Sequence, residues 1–148
     1  MKVEQVNILV LAYLGDTIYE NYIRKYLIKK GIANVNDLQK QAVNYVSAKS
    51  QAGFLMTLLD NGFFSEEEIT IIKRARNYKT TSHPKNCDIG TYKMATGLES
   101  LIGYLSLENN IERRKLHELC TFTCSYRIQP SGRRLSYQQD DGQSQGAR

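Results

Sequence analysis

Early in the chain Leu11, Leu14, Ile18 and Tyr22 recur at spacings of three and four, the repeat of one face of a helix. That helix is expected from about Val3 to Lys30, with Gly15 as a point where it can break and Gly31 as its stop. Asn34 and Asn36 are the right kind of side chain to cap a second helix reaching Tyr45. A third is predicted from Ser47 to Leu59, closing at Gly62. Ser65 followed by Glu66, Glu67 and Glu68 has the form of a capping box and predicts a fourth helix to about Asn77. From Tyr78 to Gly90 the helical period disappears, and Thr80, Thr81, Ser82, Pro84 and Asn86 mark a loop. A fifth helix is expected from Thr91 to Leu107 and a sixth from Ile111 to about Ser125. No stretch alternates between turn signals as a strand would, so the pattern predicts an all-α helical bundle.

After Tyr126 the composition changes to glutamine, serine, glycine and arginine, which predicts a disordered polar tail at 126–148 behind one domain at 1–125. Arg127, Arg133, Arg134 and Arg148 outweigh Asp140 and Asp141 there; the tail either adds non-specific affinity for a polyanion such as nucleic acid or stays solvated. The 148 residues are 41% hydrophobic and 24% charged, enough to bury one core without disulfide staples. A net charge of +5 favours polyanionic partners, although many basic proteins bind no nucleic acid. Cys87, Cys120 and Cys124 are too few and too irregular for a disulfide framework and read as reduced thiols. The longest apolar run, Ile8 to Leu14, is far short of the roughly 20 residues of a membrane span. No secretory leader pattern is visible at the start, so a cytoplasmic protein with no membrane partner is expected.

Two carboxylates stand among neighbours that do not suit a solvated acid. Asp16 lies in Leu11-Ala12-Tyr13-Leu14-Gly15-Asp16-Thr17-Ile18-Tyr19-Glu20, and Glu99 in Ala95-Thr96-Gly97-Leu98-Glu99-Ser100-Leu101-Ile102-Gly103-Tyr104. Burying an ionised carboxylate is costly unless it is paired. Ala12 and Gly15 on one helix, with Ala95, Gly97 and Gly103 on the other, would let the two approach closely and bring Asp16 and Glu99 together inside an apolar bundle. Two like charges a few ångströms apart repel by several kcal/mol at an effective dielectric of roughly 20. Either one carboxyl takes a proton or a cation sits between them. Magnesium suits such a place because it binds through one or two carboxylates and keeps several waters, and it can polarise a phosphodiester and activate water. The competing reading is a mid-helix acid paired with a nearby lysine or arginine.

Lys73, Arg74, Arg76, Lys79 and Lys85 interleave with Asn77, Tyr78, Thr80, Thr81, Ser82 and Asn86 just before the helix of Glu99. Cations neutralise phosphates, and small polar side chains donate to phosphate and sugar. A solvated helix end, where cations suit the dipole, explains the cluster equally simply on its own. His117, Cys120 and Cys124 share a helical face, but no fourth zinc ligand is near in sequence, so they read as packed residues. Tyr13, Tyr19, Tyr22 and Tyr26 are expected to contribute to core or interface packing.

The segment from Leu11 to Glu20 resembles the signature of the ribonuclease III family, in the form found in the Mini-ribonuclease III group. Three further stretches resemble the same group in order and with compatible spacing: Val46-Ser47-Ala48-Lys49-Ser50-Gln51-Ala52, Lys73-Arg74-Ala75-Arg76-Asn77, and Pro84-Lys85-Asn86-Cys87-Asp88 followed by Thr91 to Leu105. The resemblance covers about Leu9 to Leu107. It implies an all-α endonuclease domain working as a homodimer on double-stranded RNA, with Mg2+ as cofactor and Mn2+ as a substitute. It implies that Asp16 is the catalytic aspartate and Glu99 the metal-binding glutamate. It also implies 5′-phosphate products with a short 3′ overhang, and a role in maturing precursor ribosomal RNA of the large subunit in bacteria. Members of this group lack a separate double-stranded-RNA-binding domain. The larger family pattern carries a glutamate where this chain has Ala12 and an aspartate where it has Thr96, which puts a four-carboxylate site and a second tightly held metal in doubt. Lys73, Arg74, Arg76, Lys79 and Lys85 are the expected phosphate contacts, and Glu20 is either an outer ligand or a surface glutamate. The rival functions are a catalytically inactive RNA-binding module of the same fold and a helical scaffold whose basic surface is incidental.

Overall fold

Asn7 sets where the first long helix begins. The computed structural model describes residues 2–108 and 117–123. Val3–Gln5 form a single 3-10 turn, Val6 is extended, and the Asn7 side chain accepts from the Leu9 amide at 2.9 Å to open α1, Ile8–Lys29. The helix therefore starts at Ile8, not Val3, because a short amide side chain satisfies the first free N–H groups and ends the preceding turn. It passes Gly15 without a break. It stops at Gly31, whose φ of +93° lets the Ile32 amide reach back to the Leu27 carbonyl.

Asn34, not Asn36, caps α2 (Val35–Val46), accepting from the Asn36 and Asp37 amides. Ser47 closes α2 with its amide and opens α3 (Ala48–Asp60) with its hydroxyl. The capping box of α4 (Glu66–Asn77) is complete: the Glu68 amide donates to the Ser65 hydroxyl at 3.3 Å and the Ser65 amide to the Glu68 carboxylate at 3.0 Å. Helix α5 (Ile89–Leu107) begins before Thr91, because the Asp88 carboxylate accepts from the Thr91 amide at 3.2 Å. The expected loop from Tyr78 to Gly90 is shortened to match. Residues 117–123 are helical, within the span expected for a sixth helix. The rest of that span, with Cys124 and the tail at 126–148, lies outside the described residues. All regular structure among the described residues is helical.

Helix α5 is the axis of the bundle. It packs against α1, α3 and α4, while α2 leans on α1. Ala95 to Leu98 and Ser100 to Leu105 are all buried, so α5 has almost no solvated face. Leu11, Tyr19, Ile23 and Leu27 from α1, Phe54, Leu55 and Leu58 from α3, and Ile71 and Ile72 from α4 close around it. The innermost row of α1 is thus Leu11, Gly15, Tyr19, Ile23 and Leu27, whereas Leu14, Ile18 and Tyr22, the expected face, lie half-buried on its flank. The contact line runs through the glycine because only there can α5 come close. No helix of the described residues is long and apolar enough to cross a membrane.

Candidate active site

At the crossing of α1 and α5 the two backbones touch. A Cβ added at Gly15 would overlap the Glu99 carbonyl oxygen and stand 2.8 Å from the Gly103 amide nitrogen. One added at Gly103 would overlap the Leu11 carbonyl oxygen and stand 2.8 Å from its carbon. The buried Ser100 hydroxyl donates to the Ile8 carbonyl at 3.2 Å and pins the same crossing one turn away. Gly97, expected to help here, faces other helices: a Cβ on it would meet Leu55 Cδ2 at 3.3 Å and Ile72 Cγ2 at 3.5 Å.

This crossing brings Asp16 and Glu99 together. Asp16 follows Gly15 and is therefore turned about 100° from the line of contact. It lies exposed at the rim of the crossing, and Glu99 is half-buried beside it. The expectation of a pair sunk inside the bundle is corrected to a pair at its edge, open to solvent on the Asp16 side. Burial pushes the Glu99 carboxyl up to about 8, and the Asp16 charge pushes the same way. Asp16 is also raised, first by its own partial burial and then by Glu20, while its hydrogen bond with Glu99 pulls it down. A proton on Glu99, shared toward Asp16, relieves the repulsion; a divalent cation between them relieves it too.

Glu20, one turn after Asp16, forms an ion pair with Arg24 at 2.7 Å. Ala12 and Thr96, the positions without the larger pattern's carboxylates, are both buried, and the Thr96 hydroxyl donates to the Tyr92 carbonyl at 3.0 Å. Gln51 of α3 escaped the reading of single positions. It is 1% exposed, and neither its amide nitrogen nor its oxygen has a full hydrogen-bond partner among the described residues. It lies against Glu99, short of a well-formed bond, and still favours the charged carboxylate. The signal that could have found it is a glutamine directly before Ala52 at the start of an apolar helix face.

The basic residues separate. Lys73, Arg74 and Lys79 line one open groove with Asn7, Ile8, Thr70, Asn77 and Tyr78, while Arg76 and Lys85 are exposed outside its lining. Arg74 already has structural work: its two terminal nitrogens donate to the Glu4 carbonyl at 2.8 Å and the Val6 carbonyl at 3.2 Å, tying the N-terminal turn to α4. The groove meets the crossing at Ile8, the residue that accepts from Ser100. Cys120 is fully buried and His117 is exposed, stacked edge-on with Tyr22. Tyr19 is fully buried, but Tyr13 is 81% exposed and contributes nothing to the core.

Comparison with known proteins bears on this geometry. The model of the Ribonuclease III domain matches residues 9–110. An Enterococcus faecalis protein named Mini-ribonuclease 3 is 48% identical over 110 residues, which span 74% of this chain and 83% of that one. A Brevibacillus brevis protein of the same name is 50% identical over 107 residues, 72% of this chain and 78% of that one. The X-ray crystal structure of a Fusobacterium nucleatum protein superposes with a TM-score of 0.70 at 33% identity, covering 81% of this chain and 93% of that one.

Proposed function

The chain belongs to the ribonuclease III family and is an endoribonuclease of double-stranded RNA, and we propose that Asp16 and Glu99 are its catalytic, metal-binding pair. The observation that carries this reading is the placing of two mutually repelling carboxylates at the glycine crossing, one open to solvent and one held at about 8 by burial. The family is generally divalent-metal dependent, and the donor set fits such an ion. Two carboxylate groups and a buried polar amide suit Mg2+, with Mn2+ as its substitute, because these ions take few protein oxygens and keep most of their water. When bound, the ion polarises the scissile phosphodiester and activates water for attack.

The protein's own groups do the rest. Gly15 and Gly103 hold the two carboxylates in register by backbone contact, so neither can drift when charge changes hands. Asp16 meets the solvent from which RNA arrives, and Glu99 is held from behind. Lys73 and Lys79 line the groove that continues from Ile8 and take the phosphates of the duplex, with Arg76 and Lys85 extending the basic surface. Arg74 contributes charge to the groove while its donors hold the N-terminal turn. Such contacts act on the backbone and fix position without reading sequence.

The catalytic unit spans about residues 1–125, acts as a homodimer in the cytoplasm, and cuts a duplex segment of precursor ribosomal RNA. Support for the dimer comes from Val10 and Tyr13, one turn apart on α1 beside Asp16 and 56% and 81% exposed. The test is cleavage of duplex RNA by wild type, Asp16→Asn and Glu99→Gln, with single-stranded RNA and duplex DNA as controls. Cutting of duplex RNA alone, lost in chelator and in both variants, is the expected result. Undiminished cutting by either variant sinks the assignment of the pair.

A further inference from the structure

Gln51 is an expensive residue to keep where it is. An amide with both polar atoms buried and no well-formed hydrogen bond among the described residues gives up its water for little beyond a loose approach to Glu99, whereas an apolar side chain of the same size would fill the space at no such cost. The side chains around it show why the fold itself does not need the amide. Ala52, Phe54 and Leu55 of the same helix supply the packing of α3, and Ser50 bonds with Ser47 at 2.8 Å without it. Its position is set by the packing of α3 on α5: Leu55, one turn on, comes within 3.3 Å of where a Cβ on Gly97 would stand, and Gln51 lies against Glu99. It thus closes the inner side of the carboxylate pair, opposite the solvent that reaches Asp16.

We propose that Gln51 is the positioning residue of the metal site, its amide N–H held for the ionised Glu99 carboxylate and its carbonyl oxygen for the water shell of the bound divalent cation. The proposal rests on Asp16 and Glu99 being the metal pair. A hydrated cation offers only hydrogen-bond donors, and an ionised carboxylate only acceptors. Gln51 presents one group of each kind to the same place, which neither a leucine nor a lysine could do. The residue therefore substitutes for further charge: it orders the loaded site without adding a third anion to a pair that already repels.

The test reads metal binding directly, on the RNA-free full chain, by titrating Mn2+ and following the loss of its free-ion electron paramagnetic resonance signal. Gln51→Met keeps the volume and removes both polar groups. It is expected to bind Mn2+ roughly 10–100-fold more weakly than wild type, the range for partners that orient a metal ligand. Its melting temperature in chelator is expected to equal or exceed that of wild type, because the unpaired amide is gone. In cleavage assays the Mg2+ concentration giving half-maximal rate rises by a similar factor while the KM for duplex RNA stays put. Gln51→Glu, which keeps an acceptor of the same length for the water shell but loses the N–H donor to Glu99, is expected to bind Mn2+ more tightly than Gln51→Met. Wild-type Mn2+ affinity in Gln51→Met overturns the proposal, and so does a melting temperature below wild type in chelator, which would make the amide structural. Equal weakening in both Gln51 variants overturns it as well. Glu99→Gln distinguishes the two levels: if that variant also binds Mn2+ like wild type, the metal pair itself is wrong, whereas its loss of binding leaves Gln51 judged on its own result.

Discussion

At the α1–α5 crossing, atoms are placed by backbone contact: Gly15 lies on the Glu99 carbonyl, Gly103 on the Leu11 carbonyl, and the two carboxylates ride on that contact. At the C-terminal end of α4 the basic residues are placed by long, exposed side chains, apart from Arg74, which is anchored to the carbonyls of Glu4 and Val6. The difference matches the two tasks. Bond cleavage depends on groups fixed within about half an ångström, and that precision comes from rigid elements. Phosphate attraction works over a Debye length of about 8 Å at physiological salt and tolerates mobile side chains. Substitutions at the crossing should therefore be all-or-none, and those at the basic edge graded.

The largest effect is expected from Asp16→Asn and Glu99→Gln. Each should lower the cleavage rate on the order of 10³-fold or more, about 4 kcal/mol of transition-state stabilisation, at saturating RNA. In chelator both variants should melt no lower than wild type, because each removes one of two carboxyl groups that sit together only at the cost of repulsion or of taking up a proton. Activity lost together with stability would mean that the carboxylates hold the fold and not the reaction.

Next come Gly15→Ala and Gly103→Ala. The added methyl has nowhere to go, since the atom it strikes is backbone on the facing helix, and the helices must separate. A loss of about 3 kcal/mol or more in denaturant unfolding is expected. Cleavage should fall with it even under conditions where the variant stays folded, because Asp16 and Glu99 move apart. Gly97→Ala meets side chains at 3.3 Å and 3.5 Å and a backbone oxygen no nearer than 3.7 Å, and should cost distinctly less.

The pH dependence of stability tests the same crossing without mutation. Glu99 in the folded, cation-free protein titrates at about 8 against an ordinary value of 4.5. Between those values the folded state binds a proton that the unfolded state has released, so stability falls as pH rises through that window and the loss is complete above it. Below about 4.5 the contribution is fully present. Thermal melts in chelator from pH 5 to pH 8.5 should show the decline, and added Mg2+ should reverse it at the upper end by favouring the ionised pair. A profile that rises steadily in chelator over that range would contradict the burial assigned to Glu99.

At the basic edge the effects are smaller and separable. Lys73→Ala and Lys79→Ala should each weaken duplex binding regardless of sequence and reduce the slope of log affinity against log salt by about 1, with the rate at saturation kept. Arg74→Ala should behave differently: two carbonyls lose their donors, so stability drops by about 1–3 kcal/mol along with affinity. If Arg74→Ala changes affinity alone, the division of labour drawn here between Arg74 and its neighbours is wrong.

Much of this contrast was legible in the sequence. Helix periods, the capping box at Ser65 and Glu68, and the small residues flanking two out-of-place acids predicted the bundle and the meeting of Asp16 with Glu99. What stayed hidden depends on rotation and on partners distant in the chain. The small residues point to a close approach, but they do not say that the contact line runs through Gly15 itself and so turns Asp16 out to the rim. Nothing near Arg74 says that its partners are carbonyls about seventy positions earlier. Gln51 stands in the Val46 to Ala52 stretch, where the resemblance gave it no role, and its burial comes from α3 packing on α5.

The smallest predicted change bears on where the site ends. Glu20 is one turn from Asp16 and raises its pKa by charge, yet its carboxylate is engaged by Arg24 at 2.7 Å, with Arg24 largely and Glu20 partly exposed. An exposed pair spaced i, i+4 contributes about 0.3–0.5 kcal/mol, so Glu20→Gln should shift stability by no more than that. With the neighbouring negative charge removed, Asp16 moves toward its ordinary value. If Glu20 is a surface residue, Mn2+ affinity and cleavage should stay within about twofold of wild type. If Glu20 instead orders the cation's water, its loss should match that of Gln51→Met, and the site would reach outward along α1 as well as inward to α3. Measuring the two variants side by side decides which helix completes the site.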